Sequence, residues 1–214
     1  ATLFGGIILF VSGLNWMDPQ INPLVPVLKS PWLMFHVAVI VAAYGFFGIS
    51  FLLGIANLTM MLFYDRNALI PYRIKELSII NQMALMVGLA LMCIGTFLGA
   101  IWANESWGRY WGWDPKETWA LITIVSYTIV THIHLIKKGN NDWLFNLLSI
   151  IAFSSVLITF FGVNYFFSGM HSYGQSDAIG GMIFYLFVPF VLIGLLAVFS
   201  YKKVKTIRTN HTIP

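Results

Sequence analysis

WGRYWGWDPKETW, residues 107–119, sets Trp107, Trp111, Trp113 and Trp119 among Arg109, Asp114, Lys116 and Glu117, in a chain with only 9% charged residues. An ordinary soluble domain carries about 25%. Apolar runs flank the stretch, Leu77 to Ala103 before it and Pro115 to Ile136 after it, and each is long enough for the roughly 20 residues that a helix needs to cross a bilayer. The stretch therefore joins two crossings. Three further runs, Trp32 to Tyr64, Trp143 to Phe167 and Ile179 to Tyr201, raise the expected number of full spans to five. With 58% apolar residues in 214 and a mean hydropathy of +0.80, the expectation is an all-α, polytopic integral membrane helical bundle.

A sixth apolar piece, Thr2 to Leu14, is short of a crossing. It has no positively charged flank like that of a signal peptide and begins without methionine, so residues 1–14 read as a truncated N-terminal helix of a longer chain. No Ser/Gly-rich linker, internal repeat or low-complexity tract interrupts the remainder, and residues 1–214 are expected to form a single membrane domain.

Orientation follows from basic residues, which are retained on the cytoplasmic side. Arg66, Arg73, Lys75, Lys137, Lys138, Lys202, Lys203, Lys205 and Arg208 fall on one side and only Lys29, Arg109 and Lys116 on the other, together the twelve of the chain. The tryptophan-rich loop, residues 104–118, and the loop 168–178 are thus expected on the outer face, with a basic cytoplasmic tail over 201–214. Topology accounts for the net charge of +4, and no basic stretch interleaved with exposed aromatics points to nucleic acid. Cys93 is the only cysteine, which excludes a CxxC redox pair, a thiolate metal cluster and a CxxCH haem anchor within this chain. Any thiol chemistry requires a partner's cysteines.

Asp114-Pro115-Lys116-Glu117 has the order of a helix start: Asp as N-cap, Pro at the first helical position, and a carboxylate three residues after the cap. Both acids also favour the positive end of the helix dipole. Tryptophans gather at membrane interfaces, where an apolar ring with one N–H suits the headgroup layer. Here Trp102, Trp107, Trp111, Trp113 and Trp119 crowd together with Gly108 and Gly112 between them. That spacing suits an aromatic belt, and it equally suits a platform for a flat apolar ligand such as a porphyrin or quinone.

An intramembrane histidine is costly and by default a functional candidate, although hydrogen-bonded packing roles are common. Of the five histidines, His211 lies in the basic tail and carries no specific expectation. His36 follows Trp32 by four residues, roughly 6 Å along a helix from its outer end. His171 lies in the second outward loop, GVNYFFSGMHSYG. Two imidazoles thus flank the tryptophan stretch on one membrane face, and a pair of neutral imidazoles on opposite faces of a haem makes a six-coordinate site. His132 stands 18 residues beyond Asp114, roughly 27 Å deeper on a straight helix, too far to share that site. His134 is turned about 200° from it and nearer the end of the span. Arg109 and Lys116 are the basic residues of the tryptophan loop; either suits a ligand carboxylate, and each also reads as a solvated loop charge.

Three blocks, KSPWLMFHV, the loop from Trp102 to Thr131 ending at His132, and GVNYFFSGMHSYG, resemble the CcsA/ResC family, the integral-membrane half of the system II cytochrome c synthase. The WGRYWGWDPKETWALI run resembles this branch more than the CcmC or CcmF branches. The resemblance covers about Pro26 to Gly174. It implies that His36 and His171 are the outer ligands of haem b, that Trp107 to Asp114, with Trp111, Gly112 and Trp113, form the haem-binding loop, and that His132 binds haem in transit. His134 does not match the family position. It further implies a CcsB/ResB-type membrane partner, an apocytochrome c with a CxxCH motif, a thiol-reducing partner and a bacterial cytoplasmic or thylakoid-type membrane. The resemblance also implies further upstream helices, one with another intramembrane histidine.

Three functions compete on these grounds. The first is the haem-delivering component of a holocytochrome c synthase, a haem lyase complex whose catalytic residues the sequence leaves unknown. The second is a membrane b-type cytochrome exchanging electrons with quinone, which ordinarily sets histidines on facing helices in two layers. The third is a non-haem transporter or structural subunit in which the tryptophans are only a belt against membrane lipid.

Overall fold

Proline opens three of the long helices, where its missing N–H costs no hydrogen bond and its fixed φ suits the first turn. In the computed structural model, which describes residues 30–136, 141–167, 169 and 179–211 with side chains excepted at 165, 179–187 and 207–211, these helices are α1 (Pro31–Leu62), α2 (Ile70–Trp107) and α3 (Pro115–His132). A 3-10 turn, Ile133–Leu135, extends α3. Then come α4 (Asp142–Leu157), a π turn (Ile158–Gly162), the short α5 (Val163–Phe166) and α6 (Ile179–His211). Among the described residues all regular structure is helical.

Four stretches are long and apolar enough to cross a membrane: Pro31–Leu62, Ile70–Trp107, Pro115–Leu135 and Asp142–Gly162. They match four of the five expected spans. The fifth expected span lies within α6, which continues past it into the basic tail and contains Pro189. Thr2 to Leu14 lies outside the described residues.

The α1–α2 contact is the largest in the bundle, and its chemistry is readable position by position. Buried residues recur on α1 at Ala43, Phe47, Ser50, Gly54, Asn57 and Met61, and on α2 at Ile74, Ser78, Asn81, Leu85, Gly88, Met92 and Gly95. Both series alternate steps of four and three, the seven-residue repeat of helices that supercoil along a shared seam. The helices run antiparallel, and large side chains meet glycines. A Cβ at Gly88 would stand 2.8 Å from Phe47, one at Gly95 2.6 Å from Ile40, and one at Gly99 2.6 Å from the His36 imidazole. Lipid tails are as apolar as leucine, so helices in a bilayer associate through such close packing and through polar contacts.

The polar contacts lie further along the same seam. Ser50 Oγ donates to Asn81 Oδ1 at 2.5 Å, and Asn57 Nδ2 donates to Ser78 Oγ at 3.2 Å. Helix α4 adds Asn146, whose Oδ1 accepts from both Asn57 and Asn81 at 2.9 Å while its Nδ2 reaches Ser78 Oγ at 2.9 Å. Gly54 admits α4 here, since a Cβ would meet Asn146 O at 2.9 Å and Ser149 Oγ at 2.8 Å. Nearer the tryptophan loop the interior is apolar, with Tyr127 of α3 stacked on Phe47 at 3.7 Å. At the opposite end α6 is held by Trp143 Nε1 donating to Ser200 at 3.0 Å and by Lys203 donating to Asp65 at 2.7 Å. The Lys203 hydrogen bond holds the Asp65 carboxyl below the usual carboxylate range. Large apolar side chains such as Phe97 and Phe190 face outward, as expected where the solvent is lipid.

Replacing Asn146 by Leu removes one acceptor from each of the buried Asn57 and Asn81 amides, which keep only Ser78 and Ser149. The expected cost is about 1–2 kcal/mol, read as a lowered unfolding midpoint of the solubilised protein; an unchanged midpoint contradicts the three-helix polar lock.

Candidate functional site

The end of α2 is set by Gly108, which adopts the left-handed conformation at φ 72° and returns its N–H to Asn104 O at 2.8 Å. Glycine accepts that conformation without the steric cost that a side chain brings. Seven residues later the chain re-enters helix at the expected place. Asp114 Oδ1 accepts from the backbone of Lys116 at 2.9 Å and Glu117 at 3.1 Å, and Glu117 Oε2 accepts from Asp114 N at 3.2 Å. This is a complete capping box. The non-helical part of the loop is therefore only Gly108 to Asp114, shorter than the 104–118 read from sequence.

Glu117 does more than cap. The same Oε2 accepts from Gly112 N at 2.7 Å, and Oε1 lies 3.7 Å from Arg109 Nη1. A side chain on Gly112 would overlap the Arg109 guanidinium, so the glycine is what lets the arginine fold back under the loop. Beyond it Trp113 takes φ 58°, a region uncommon for a residue with a bulky side chain. That turn leaves Trp113 69% exposed, standing edge-on to Trp111 at 5.7 Å. Trp107 packs edge-on against the buried Trp102 at 4.7 Å. The loop thus presents one tryptophan outward, turns one inward and anchors a third.

His36 lies on the α1 face toward this loop. Its Nδ1 is 2.7 Å from Gly95 O, and since a carbonyl only accepts, Nδ1 carries a proton, which in the neutral ring leaves the lone pair to Nε2. A backbone carbonyl fixing the tautomer in this way is what orients an imidazole ligand toward iron or zinc. The ring rests against the bare Cα of Gly99. It borders a cleft of about 540 Å³, part of it open to the outside, whose lining includes Tyr44, Trp111, Lys116 and Glu117.

The far wall comes from α4. Thr159, in the π turn, donates to Ser155 O at 2.6 Å and meets Thr123 Oγ1 of α3 at 3.2 Å. A π turn shifts the register of everything that follows it, and here α5 brings Asn164 to accept from Lys116 Nζ at 3.0 Å. Gly169 then passes so close that a Cβ would lie 2.8 Å from Asp114 Oδ2 and 2.9 Å from the Pro115 ring. The start of the second loop therefore touches the tryptophan loop. His171 itself lies outside the described residues.

Of the residues expected from sequence, His36, Trp107, Trp111, Gly112, Trp113 and Asp114 gather at this end. His132 does not. It is exposed at the opposite end of α3, its Nδ1 2.8 Å from Thr128 O and 3.2 Å from Thr131 Oγ1. His134 instead packs on Phe145 with ring centroids 5.0 Å apart; the two rings diverge, as their spacing implied. Among the described residues no three His, Cys, Asp or Glu side chains converge as for a metal ion held by protein alone. Gly95, Gly99, Asn164 and Thr159 were not anticipated from sequence. The small residues Gly95 and Gly99, four apart in an apolar span, were the available signal.

These features define a polytopic helical membrane protein that sets an oriented imidazole beside a tryptophan-rich loop. The family model described as Cytochrome C assembly protein matches residues 1–171, and the chain belongs to that family of cytochrome c biogenesis. It is 50% identical over 178 residues to Protein NrfI of Wolinella succinogenes, covering 83% of this chain and 20% of that protein. It is 40% identical over 159 residues to the cytochrome c biogenesis protein CcsA of Chlamydomonas reinhardtii, covering 72% and 44%. Against CcsA of Cyanophora paradoxa the identity is 35% over 213 residues, covering 78% and 66%. The chain therefore spans between a fifth and two thirds of the length of these relatives.

Glu117→Ala removes the acceptor shared by the Gly112 and Asp114 amides. Hydrogen exchange at those two amides should accelerate about tenfold while the Asn146 region keeps its protection; unchanged exchange at residues 112 and 114 contradicts the organising role of Glu117.

Proposed function

We propose that this chain carries haem b to the membrane face bearing the tryptophan loop and presents it there to the reduced thiols of an apocytochrome c CxxCH motif, as part of a holocytochrome c synthase. The observation that carries the proposal is His36: an imidazole whose Nδ1–H is held by Gly95 O, bordering a cleft shared with Trp111, in a chain of the cytochrome c assembly family. His171, two residues beyond the contact of Gly169 with Asp114, is the proposed second axial ligand. Trp107, Trp111 and Trp113, with Gly112 between them, supply flat surface to the porphyrin.

Haem is cargo here, and it supplies the reacting vinyl groups. Each cysteine S–H adds across one vinyl C=C to give a thioether, a step with no net oxidation or reduction once the thiols are reduced. The protein's share is to hold the ring, exclude water and orient it. A CcsB/ResB-type membrane partner and a thiol-reducing partner belong to this reading. So do five full crossings with α6 as the fifth, a partial one at 1–14, and the tryptophan loop on the outer side of a bacterial cytoplasmic or thylakoid-type membrane. His132, at the opposite end of α3, is proposed to hold haem in transit, with its outward exposure suited to a ligand from helices beyond this chain.

His36→Gly in the intact synthase should lower haem content or alter the Soret band and abolish thioether formation, with added imidazole restoring part of both. Wild-type spectra and full maturation of a CxxCH apocytochrome in that variant contradict the assignment. A reduced haem that turns over with quinol but never with apocytochrome favours a b-type cytochrome instead.

A further inference from the structure

Beside His36 the cleft carries two hydrogen-bond donors that the fold does not fully use. Trp111 Nε1 is shielded from solvent and has no acceptor among the described residues. An indole N–H only donates, and a buried donor without an acceptor is costly, so a group that brings an oxygen to it removes that cost. The second donor is Lys116, whose ammonium meets the neutral amide oxygen of Asn164 at 3.0 Å. Both residues line the same cleft.

The other charges of the loop are committed to one another. Arg109 lies 3.7 Å from Glu117 Oε1 and 6.0 Å from the Trp107 ring centroid. Glu117 Oε2 is taken by the amides of Gly112 and Asp114, and Asp114 Oδ1 by those of Lys116 and Glu117. Among the other polar groups of the wall, Thr96 donates to Met92 O at 2.8 Å and Thr159 to Ser155 O at 2.6 Å, while the Tyr44 and Tyr110 hydroxyls also border the cleft. Ile40, Met92, Ala100 and Ala120 make the rest of the lining largely apolar. The cleft offers an anionic ligand the Lys116 cation and the Trp111 N–H, with the Tyr44 and Tyr110 hydroxyls as further donors and Glu117 drawn toward Arg109, a set that complements a carboxylate carried on an apolar body.

We propose that this cleft is a carboxylate subsite, with Lys116 as the counter-charge and Trp111 Nε1 as the second donor. It rests on the reading above that haem is the cargo, in which case the group received is one of the two propionates. Arg109 lies 3.7 Å from Glu117 and is not part of the cleft lining, so the two basic residues of the loop have different duties: Arg109 shapes the loop and Lys116 meets the ligand. The propionate pins the ring's rotation about the axial direction, which imidazole ligands alone leave open, and thereby decides which vinyl group meets which cysteine.

The test compares haem with haem dimethyl ester, which keeps the ring, iron and vinyl groups but has no free carboxylate. Protein is purified with its native membrane partners from cells unable to make haem, and each compound is titrated by its Soret band. Wild type should bind haem about tenfold or more tightly than the ester. Lys116→Met should weaken haem binding and leave ester binding unchanged, so that the preference collapses. Trp111→Phe, which keeps a ring but removes the N–H, should reduce the preference in part. Detergent partitioning cancels because the comparison is between ratios in different variants. An unchanged ratio in Lys116→Met overturns the subsite, as does equal weakening of both compounds. A collapse in Arg109→Gln with none in Lys116→Met places the carboxylate at the arginine and also overturns it. If haem binds wild type with normal axial ligation and the ratio ignores Lys116, only the subsite falls; if neither compound binds wild type, the haem-carrier reading falls with it.

Discussion

The backbone contact of α1 with α2 is the constraint on which the rest depends. Two helices approach this closely only where one of them has no Cβ, and Gly88, Gly95 and Gly99 supply that condition along one stripe of α2. The same approach that packs Phe47 and Ile40 puts the Gly95 carbonyl within 2.7 Å of His36 Nδ1. Packing and the orientation of the His36 imidazole are therefore one feature. A larger residue at Gly99 disturbs both, whereas a loss at the Asn146 lock weakens the bundle at the other end of the seam and leaves the imidazole contact in place.

The tryptophan loop hangs from this frame by its carboxylates. Asp114 starts α3, and Glu117 gathers Gly112, Asp114 and Arg109 around one side chain. Acids crowded among tryptophans thus act on the protein's own backbone and leave the aromatic surface apolar. The π turn after α4 then lets α5 reach Lys116, and Gly169 closes against Asp114, so the chain beyond α4 closes on both the turn and the start of α3.

Much of this was legible in the sequence because its physics is local. The apolar runs, the cap at Asp114, the glycines between tryptophans and the divergence of His132 from His134 all follow from neighbours within a few residues. The exception in detail was the loop's extent, since hydropathy falls at Asn104 and Glu105 although the helix continues to Trp107. Features that need a partner's register were not legible. Asn57, Asn81 and Asn146 look like stray polar residues until the three helices are superposed, and nothing local marks Gly99 as the seat of His36. Arg109 and Lys116 were equivalent as loop cations; only the fold sets one against Glu117 and the other in the cleft. The expectations for His171 and for Thr2 to Leu14 fall outside the described residues.

The central claim, that the glycine seam orients the imidazole proposed to bind haem, is tested most directly by electron paramagnetic resonance of the oxidised, haem-loaded form of the proposed synthase carrying Gly99→Ala. The added methyl would sit 2.6 Å from the His36 ring, so the ring or the helix that carries it must shift even though the histidine is retained. The account predicts that the low-spin signal of paired imidazoles is shifted or lost in a variant whose unfolding midpoint matches wild type. An unaltered signal would mean that His36 does not take its orientation from the seam.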